Sequence, residues 1–103
     1  MTNMYIDDER CPRDSVSFDL TTRSYTEATE WMSENGCPSY VSFDHDLGDK
    51  VPTGFDIAKW MVEQDLNSKG KFIPEDFIFN VHSANPVGSA NIIGLLNNYL
   101  EKR

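Results

Sequence analysis

Short apolar runs alternate with helix-patterned segments along the chain, and this alternation most narrows the folds open to it. Tyr40-Val41-Ser42-Phe43 and Phe77-Ile78-Phe79-Asn80-Val81 have strand length, and each is followed by a segment of helical periodicity. Met4-Tyr5-Ile6 reads as a first strand, stopped by Asp7-Asp8-Glu9-Arg10-Cys11-Pro12. Val16, Phe18 and Leu20 alternate with Ser17 and Asp19, the period-two mark of a second strand. Behind it, Ser24 and Glu27 have capping-box spacing, Ala28, Trp31 and Met32 share a helical face, and Gly36 supplies a stop. Thr53 caps a second helix with Ile57, Ala58, Met61 and Val62 inward, ending near Gly70. Ile92, Leu95, Leu96, Tyr99 and Leu100 give the last helix an unbroken i, i+3, i+4, i+7, i+8 stripe.

Strands two, three and four each precede a helix, which predicts an α/β domain with a mostly parallel sheet and right-handed crossovers. The first crossover, between Arg10 and Ser15, is too short for a full helix. Strand two therefore joins differently, or its helix has shrunk to a turn. The 103 residues, 39% of them hydrophobic, suit a single domain over 1–103 that needs no disulfide or metal merely to fold. No apolar run is long enough to span a membrane, and the acidic start is not that of a signal peptide. Cys11 and Cys37 form no CxxC pattern and point to a reducing, cytoplasmic setting.

Seventeen acidic residues against nine basic ones leave a net charge of −8, which argues against a long nucleic-acid footprint. The acidity is either a solvated surface or a group of carboxylates gathered around a cation. Placement bears on the choice. Ligands of open parallel sheets bind beyond the carboxyl ends of the strands. Three expected strands end in polar clusters: Asp7-Asp8, Asp44-His45-Asp46 and His82-Ser83-Asn85. Asp and Asn also build turns at strand ends, so any one cluster means little. All three at one edge, holding both histidines of the chain, favour a site. Converging carboxylates repel unless a cation sits among them, and oxygen-rich sets suit Mg²⁺ or Mn²⁺. Ser83-Ala84-Asn85-Pro86-Val87-Gly88, ahead of the last helix, is either an anion cradle or a capped turn. His45 and His82 suit metal ligation, proton transfer or orientation of a neighbour.

The pattern Ile6-Asp7-Asp8-x-Arg10-x-Pro12, Arg23-Ser24-Tyr25-x-Glu27-Ala28, Ser42-Phe43-Asp44-His45-Asp46-Leu47-Gly48, Thr53-Gly54 and His82-Ser83-Ala84-Asn85-Pro86-Val87-Gly88 resembles bacterial response-regulator receiver domains. It is more closely similar to a receiver-like family described as cyclic-phosphate processing. The resemblance implies a flavodoxin-like, three-layer α/β sandwich with a short four-stranded sheet, the receiver's fifth strand missing. It also implies a metal-assisted site acting on a phosphate ester. By that match Asp7, Asp8 and Asp44 hold the metal, with Asp44 at the receiver's phospho-accepting position, and Asp46 adds a ligand or acts as base. His82, Ser83 and Asn85 grip the phosphate, and Arg10 neutralises its charge. The receiver's lysine at the end of a fifth strand has no counterpart, which disfavours a phosphorylated signalling domain.

The expected function is metal-dependent hydrolysis of a cyclic phosphate, on a cyclic nucleotide or an RNA end, with Asp44, His45 and His82 as the catalytic set. The alternatives are sequestration of a cyclic nucleotide without cleavage, a receiver phosphorylated on Asp44, and an acidic decoy of nucleic acid. A sheet edge left by the missing strand would suit a homodimer. A free-standing domain of this kind fits a bacterial or a phage origin.

Overall fold

The computed structural model describes residues 2–12 and 17–103. Four strands and three helices follow one another as β1 (Asn3–Ile6), β2 (Leu20–Thr22), α1 (Tyr25–Asn35), β3 (Tyr40–Phe43), α2 (Gly54–Asn67), β4 (Ile78–Val81) and α3 (Pro86–Lys102). The sheet is parallel throughout, in the order β2-β1-β3-β4. This is the receiver-like α/β arrangement expected from the sequence. The chain leaves β1 for β2 on one side, and β3 lies on the other, so the switch point in strand order falls between β1 and β3.

The link from β1 to β2 carries no helix among the described residues, so the first crossover is the shortened one and β2 does pair with β1. β2 begins later than its alternation predicts, and Val16 lies outside the described residues. The reason is that β1 starts only at Asn3, whose carbonyl accepts from the Asp19 N–H at 2.9 Å, so the segment ahead of Asp19 has no ladder to join. Side chains tie it down instead: the Asn3 amide donates to the Ser17 carbonyl, and Asp19 accepts from the Asn3 N–H, each at 2.8 Å. Phe18 leaves the alternation to lie against Tyr5 and Tyr40.

Each helix starts where its cap residue directs. The Ser24 hydroxyl accepts from the Glu27 N–H, but Glu27 turns back to the Arg23 N–H, so the box expected there is offset by one residue. Thr53 and Asp56 form the full reciprocal box at α2. Asn85 caps α3, with Pro86 in its first turn.

Alternate strand positions divide the sheet. Met4, Ile6, Val41 and Phe43 share one face by register and pack on Ala28 and Met32 of α1, Ile57, Ala58 and Met61 of α2, and Ile92 and Leu96 of α3. All these side chains are withdrawn from water, at roughly 1.5–3 kcal/mol for each large one. The opposite face presents Tyr5, Tyr40, Ser42, Ile78 and Asn80, and no helix of the described residues packs there. Sheet and helices thus form two of the three layers expected, the shortened first crossover supplying no helix for the third among the described residues. β4 ends the sheet, with Ile78 63% exposed.

Candidate functional site

Register places the first functional residues. Ile6, Phe43 and Val81 are Cα partners across β1, β3 and β4, so Asp7, Asp44 and His82, one residue further on, emerge side by side. Their backbones continue the ladder, Asp44 donating to the Ile6 carbonyl and His82 to that of Phe43. One donor atom from each of the three lies within 4.8 Å of the others, a set that could hold a metal ion. Asp7 and Asp44 are buried, and His82 is partly so.

The two carboxylates are held differently. Asp7 Oδ1 accepts from the Glu9 and Arg10 N–H groups at 2.9 Å. Its Oδ2 accepts from Arg10 Nε at 2.9 Å and lies 3.1 Å from His82 Nε2. Burial alone would raise the pKa of Asp7, but these donors outweigh it and hold Asp7 below the usual carboxylate range. Asp44 has fewer donors: the Ser83 hydroxyl, and Arg10 Nη2 at 3.6 Å from Oδ2. Burial, then repulsion from Asp7, pushes the pKa of Asp44 up. Two neighbouring acids thus have their proton affinities driven apart, a common arrangement where protons are handled.

His82 is fixed from three sides. Nδ1 lies 2.7 Å from the Ser42 hydroxyl, Nε2 bonds Asp7, and the ring stacks on Tyr5 with centroids 4.3 Å apart. Burial outweighs the pull of Asp7 and lowers the His82 pKa, leaving a neutral ring near pH 7. Arg10 spans both carboxylates with its side chain 52% exposed, and Arg23 donates to the Asp7 and Arg10 carbonyls, fastening the loop that carries them.

The remaining expected residues stand around this centre. Asp8, Asp46 and Ser83 line a cleft of about 370 Å³ with Asp7, Arg10 and Asp44. Asp46 sits on the rim, bonded to His45 Nδ1 at 3.0 Å and to the Asn85 amide at 3.3 Å, outside the three-residue metal set. The Asn85 carbonyl oxygen accepts from the Gly88 N–H, so both ends of its amide are engaged, as in the capped-turn alternative. His45 lies outside the metal set too, its ring so close to Gly88 that a Cβ there would collide with it. A Cβ on Gly54 would collide with the Asp44 carbonyl oxygen, so α2 can start this close to the site only with glycine.

Sequence reasoning passed over Ser42, Tyr5 and Arg23. The first two carried a signal, since each is a polar-bearing side chain between apolar neighbours in a strand. They had to face away from the helices, toward whatever emerges beyond the strand ends.

A parallel sheet with a carboxylate pair at its switch point defines a receiver-like domain. The family described as cyclic-phosphate processing receiver domain matches residues 2–98, and the chain belongs to that family. Searches among curated proteins and solved structures found no match. Among the described residues no helix is long and apolar enough to cross a membrane.

Proposed function

We propose that this protein hydrolyses a cyclic phosphate with the help of a divalent cation bound at the Asp7–Asp44 pair. The observation that carries the reading is the meeting of two buried carboxylates from separate strands, with a cationic side chain laid across both. Arg10 marks where positive charge is wanted, and its half-exposed side chain is free to yield part of that place. The donor set fits a hard ion: Asp7 and Asp44 supply buried oxygens, and Asp8 and Asp46 stand on the same cleft. A divalent cation held there would polarise the phosphoryl group and favour ionisation of a bound water.

The chain's own groups divide the remaining work. Water adds to phosphorus, one P–O bond of the ring breaks, and the released oxygen takes up a proton, leaving a phosphate monoester. Asp44, which has few donors of its own within the chain, would accept the water's proton. Ser83 and Arg10 face the non-bridging oxygens from the cleft wall. His82 would act by holding Asp7, whereas His45, whose Nε2 has no hydrogen-bond partner among the described residues, would return a proton. Among the described residues Arg10 is the basic residue of the cleft lining and no lysine joins it, which leaves the phosphorylated-receiver alternative without its usual stabilising group there.

The test is incubation with Mn²⁺ or Mg²⁺ and a panel of 2′,3′-cyclic, 3′,5′-cyclic and cyclic-oligonucleotide phosphates, read by chromatography. Product that vanishes with chelator and with Asp44→Asn is the expected result. Depletion of one ligand in proportion to protein, with no product, would replace hydrolysis by sequestration. The same reading takes a small phosphate compound or an RNA terminus as partner, in the cytoplasm. It also takes the exposed β4 edge as a homodimer contact, and sedimentation as a monomer at high concentration would overturn that contact.

A further inference from the structure

The sheet face that no described helix covers is not a plain polar surface. Tyr5 and Tyr40 project from it, and Phe18 reaches over from the segment before β2. Phe18 stacks on Tyr40 with centroids 5.6 Å apart and meets Tyr5 edge-on at 5.2 Å. Tyr5 in turn stacks on His82, the residue that grips Asp7. These rings border a cleft of about 600 Å³ whose lining also includes Ser42 and Asn80 from the sheet face and Arg10. Arg10 therefore belongs to two clefts, this one and the carboxylate cleft beside it. The exposed Asn80 side chain makes no hydrogen bond to the described residues, leaving a donor and an acceptor side by side.

The geometry points to a nucleobase platform: the base of a mononucleotide lies against Tyr40 and Phe18, its edge read by Asn80, while its phosphate reaches Arg10 and the carboxylate site. Three features select this occupant. The walls are flat aromatic rings, on which any base can stack. The exposed polar group in the lining is an amide, which pairs with base edges through both its donor and its acceptor. The cleft shares Arg10 with the carboxylate cleft proposed for the phosphate, so one small ligand can bridge both. A longer nucleic acid is disfavoured by the net charge of −8, which offers little to further phosphates. The inference deepens the proposed hydrolysis by fixing its substrate class as a nucleotide, and its test does not depend on turnover.

Calorimetric titration of the metal-free protein would compare a nucleoside 2′,3′-cyclic monophosphate with a base-free ring, ethylene phosphate. The nucleotide is expected to bind at least tenfold more tightly. Tyr40→Leu, which keeps apolar bulk but removes the ring, should cut that preference by about 5- to 150-fold, the range for losing one stacked base. Tyr40→Phe should restore it, and Asn80→Ala, at an exposed position with no side-chain partner among the described residues, should narrow the preference among bases. Equal affinity for both ligands, no binding of either, or a preference indifferent to Tyr40→Leu and Asn80→Ala would overturn the platform. Nucleotide binding without product in the chromatographic assay would leave the platform standing and remove the hydrolysis. Equal binding, with turnover of ethylene phosphate, would do the reverse.

Discussion

Two buried aspartates sit toward opposite ends of α2, and they are treated in opposite ways. Asp65, near its C-terminal end, has every side-chain oxygen answered from within the chain. Oδ1 accepts from the Phe72 and Ile73 N–H groups, and Oδ2 accepts from the Tyr99 hydroxyl at 2.6 Å and from Arg103 at 3.1 Å. Arg103 also donates to the Ile73 and Pro74 carbonyls, so the end of α3 is locked onto the loop before β4. Asp44, beside the start of α2, has Ser83 and a distant Arg10, and a second carboxylate for a neighbour. Burial raises the pKa of both, but Tyr99, the Ile73 N–H and Arg103 reverse that effect at Asp65, while repulsion from Asp7 adds to it at Asp44. Saturation with donors makes a carboxylate structural. Leaving one short of donors beside another acid keeps it available to a ligand.

The contrast is broken most severely by exchanging charge for amide at the open end. Asp44→Asn should lower kcat/KM for the cyclic phosphate by more than about 100-fold, beyond the loss usual for groups that only support a metal ligand. Its thermal midpoint should hold or rise, because repulsion with Asp7 disappears. A large loss of stability in this variant would mean that Asp44 belongs with Asp65 as a structural acid.

The reciprocal change is Asp65→Ala. It strands the Tyr99 hydroxyl, two backbone N–H groups and the Arg103 charge, and should cost about 3–5 kcal/mol in denaturant unfolding, the range for removing one partner of a buried pair. Turnover per folded molecule should change little, since nothing in the clasp lines the carboxylate cleft. Loss of activity out of proportion to the unfolded fraction would show that α2 couples its two ends.

Titration separates the ends more gently. The pKa of Asp65 is depressed in the folded state, so its contribution is present above the ordinary aspartate value, about 3.8, and is lost as pH falls through the folded pKa. Asp7 behaves likewise, whereas Asp44, raised, gains stability on protonation and offsets part of that loss. Burial and the Asp65 hydrogen bond push the Tyr99 hydroxyl up to about 12, and burial pushes the Cys37 thiol to about 12. A raised acid stabilises below its unfolded pKa, so unfolding free energy should fall between about pH 9 and 12. Tyr99→Phe should remove the tyrosine's part of that alkaline slope, and a slope unchanged in the variant would mean that Tyr99 does not titrate as the clasp requires.

The open end was far more legible in the sequence than the closed one. Asp7, Asp44 and His82 stand immediately after strand-like runs, and a parallel sheet in register brings such positions together with no further information. Helix starts were legible for a similar reason, since Ser24, Thr53 and Asn85 act within a few residues of themselves. Asp65 gave no sign. Its partners lie 7 to 38 residues away and meet it only through tertiary packing. β2 was misplaced at its start because pairing depends on where β1 begins, a fact about the partner strand. The helix-free sheet face depends on how the shortened crossover runs, and periodicity within one segment does not report that.

Asn85 tests the boundary between the two behaviours, because it stands at the open end yet is bonded like a member of the closed one. Its carbonyl caps α3 through the Gly88 N–H at 2.9 Å, and its amide donates to Asp46 at 3.3 Å. Asn85→Ala should therefore cost about 1 kcal/mol, the ordinary worth of a helix cap, measured as a shift in the denaturation midpoint at constant m-value. Asn85→Asp keeps a capping oxygen, so it should recover most of that stability, but it sets a negative charge against Asp46. If the amide also holds phosphate, both variants will raise KM, and Asn85→Asp the more, because a carboxylate repels the ligand that an amide would bind. An unchanged KM in Asn85→Ala, with any loss of rate confined to the unfolded fraction, would place this residue with Asp65, as a part of the frame on which the open carboxylates are mounted.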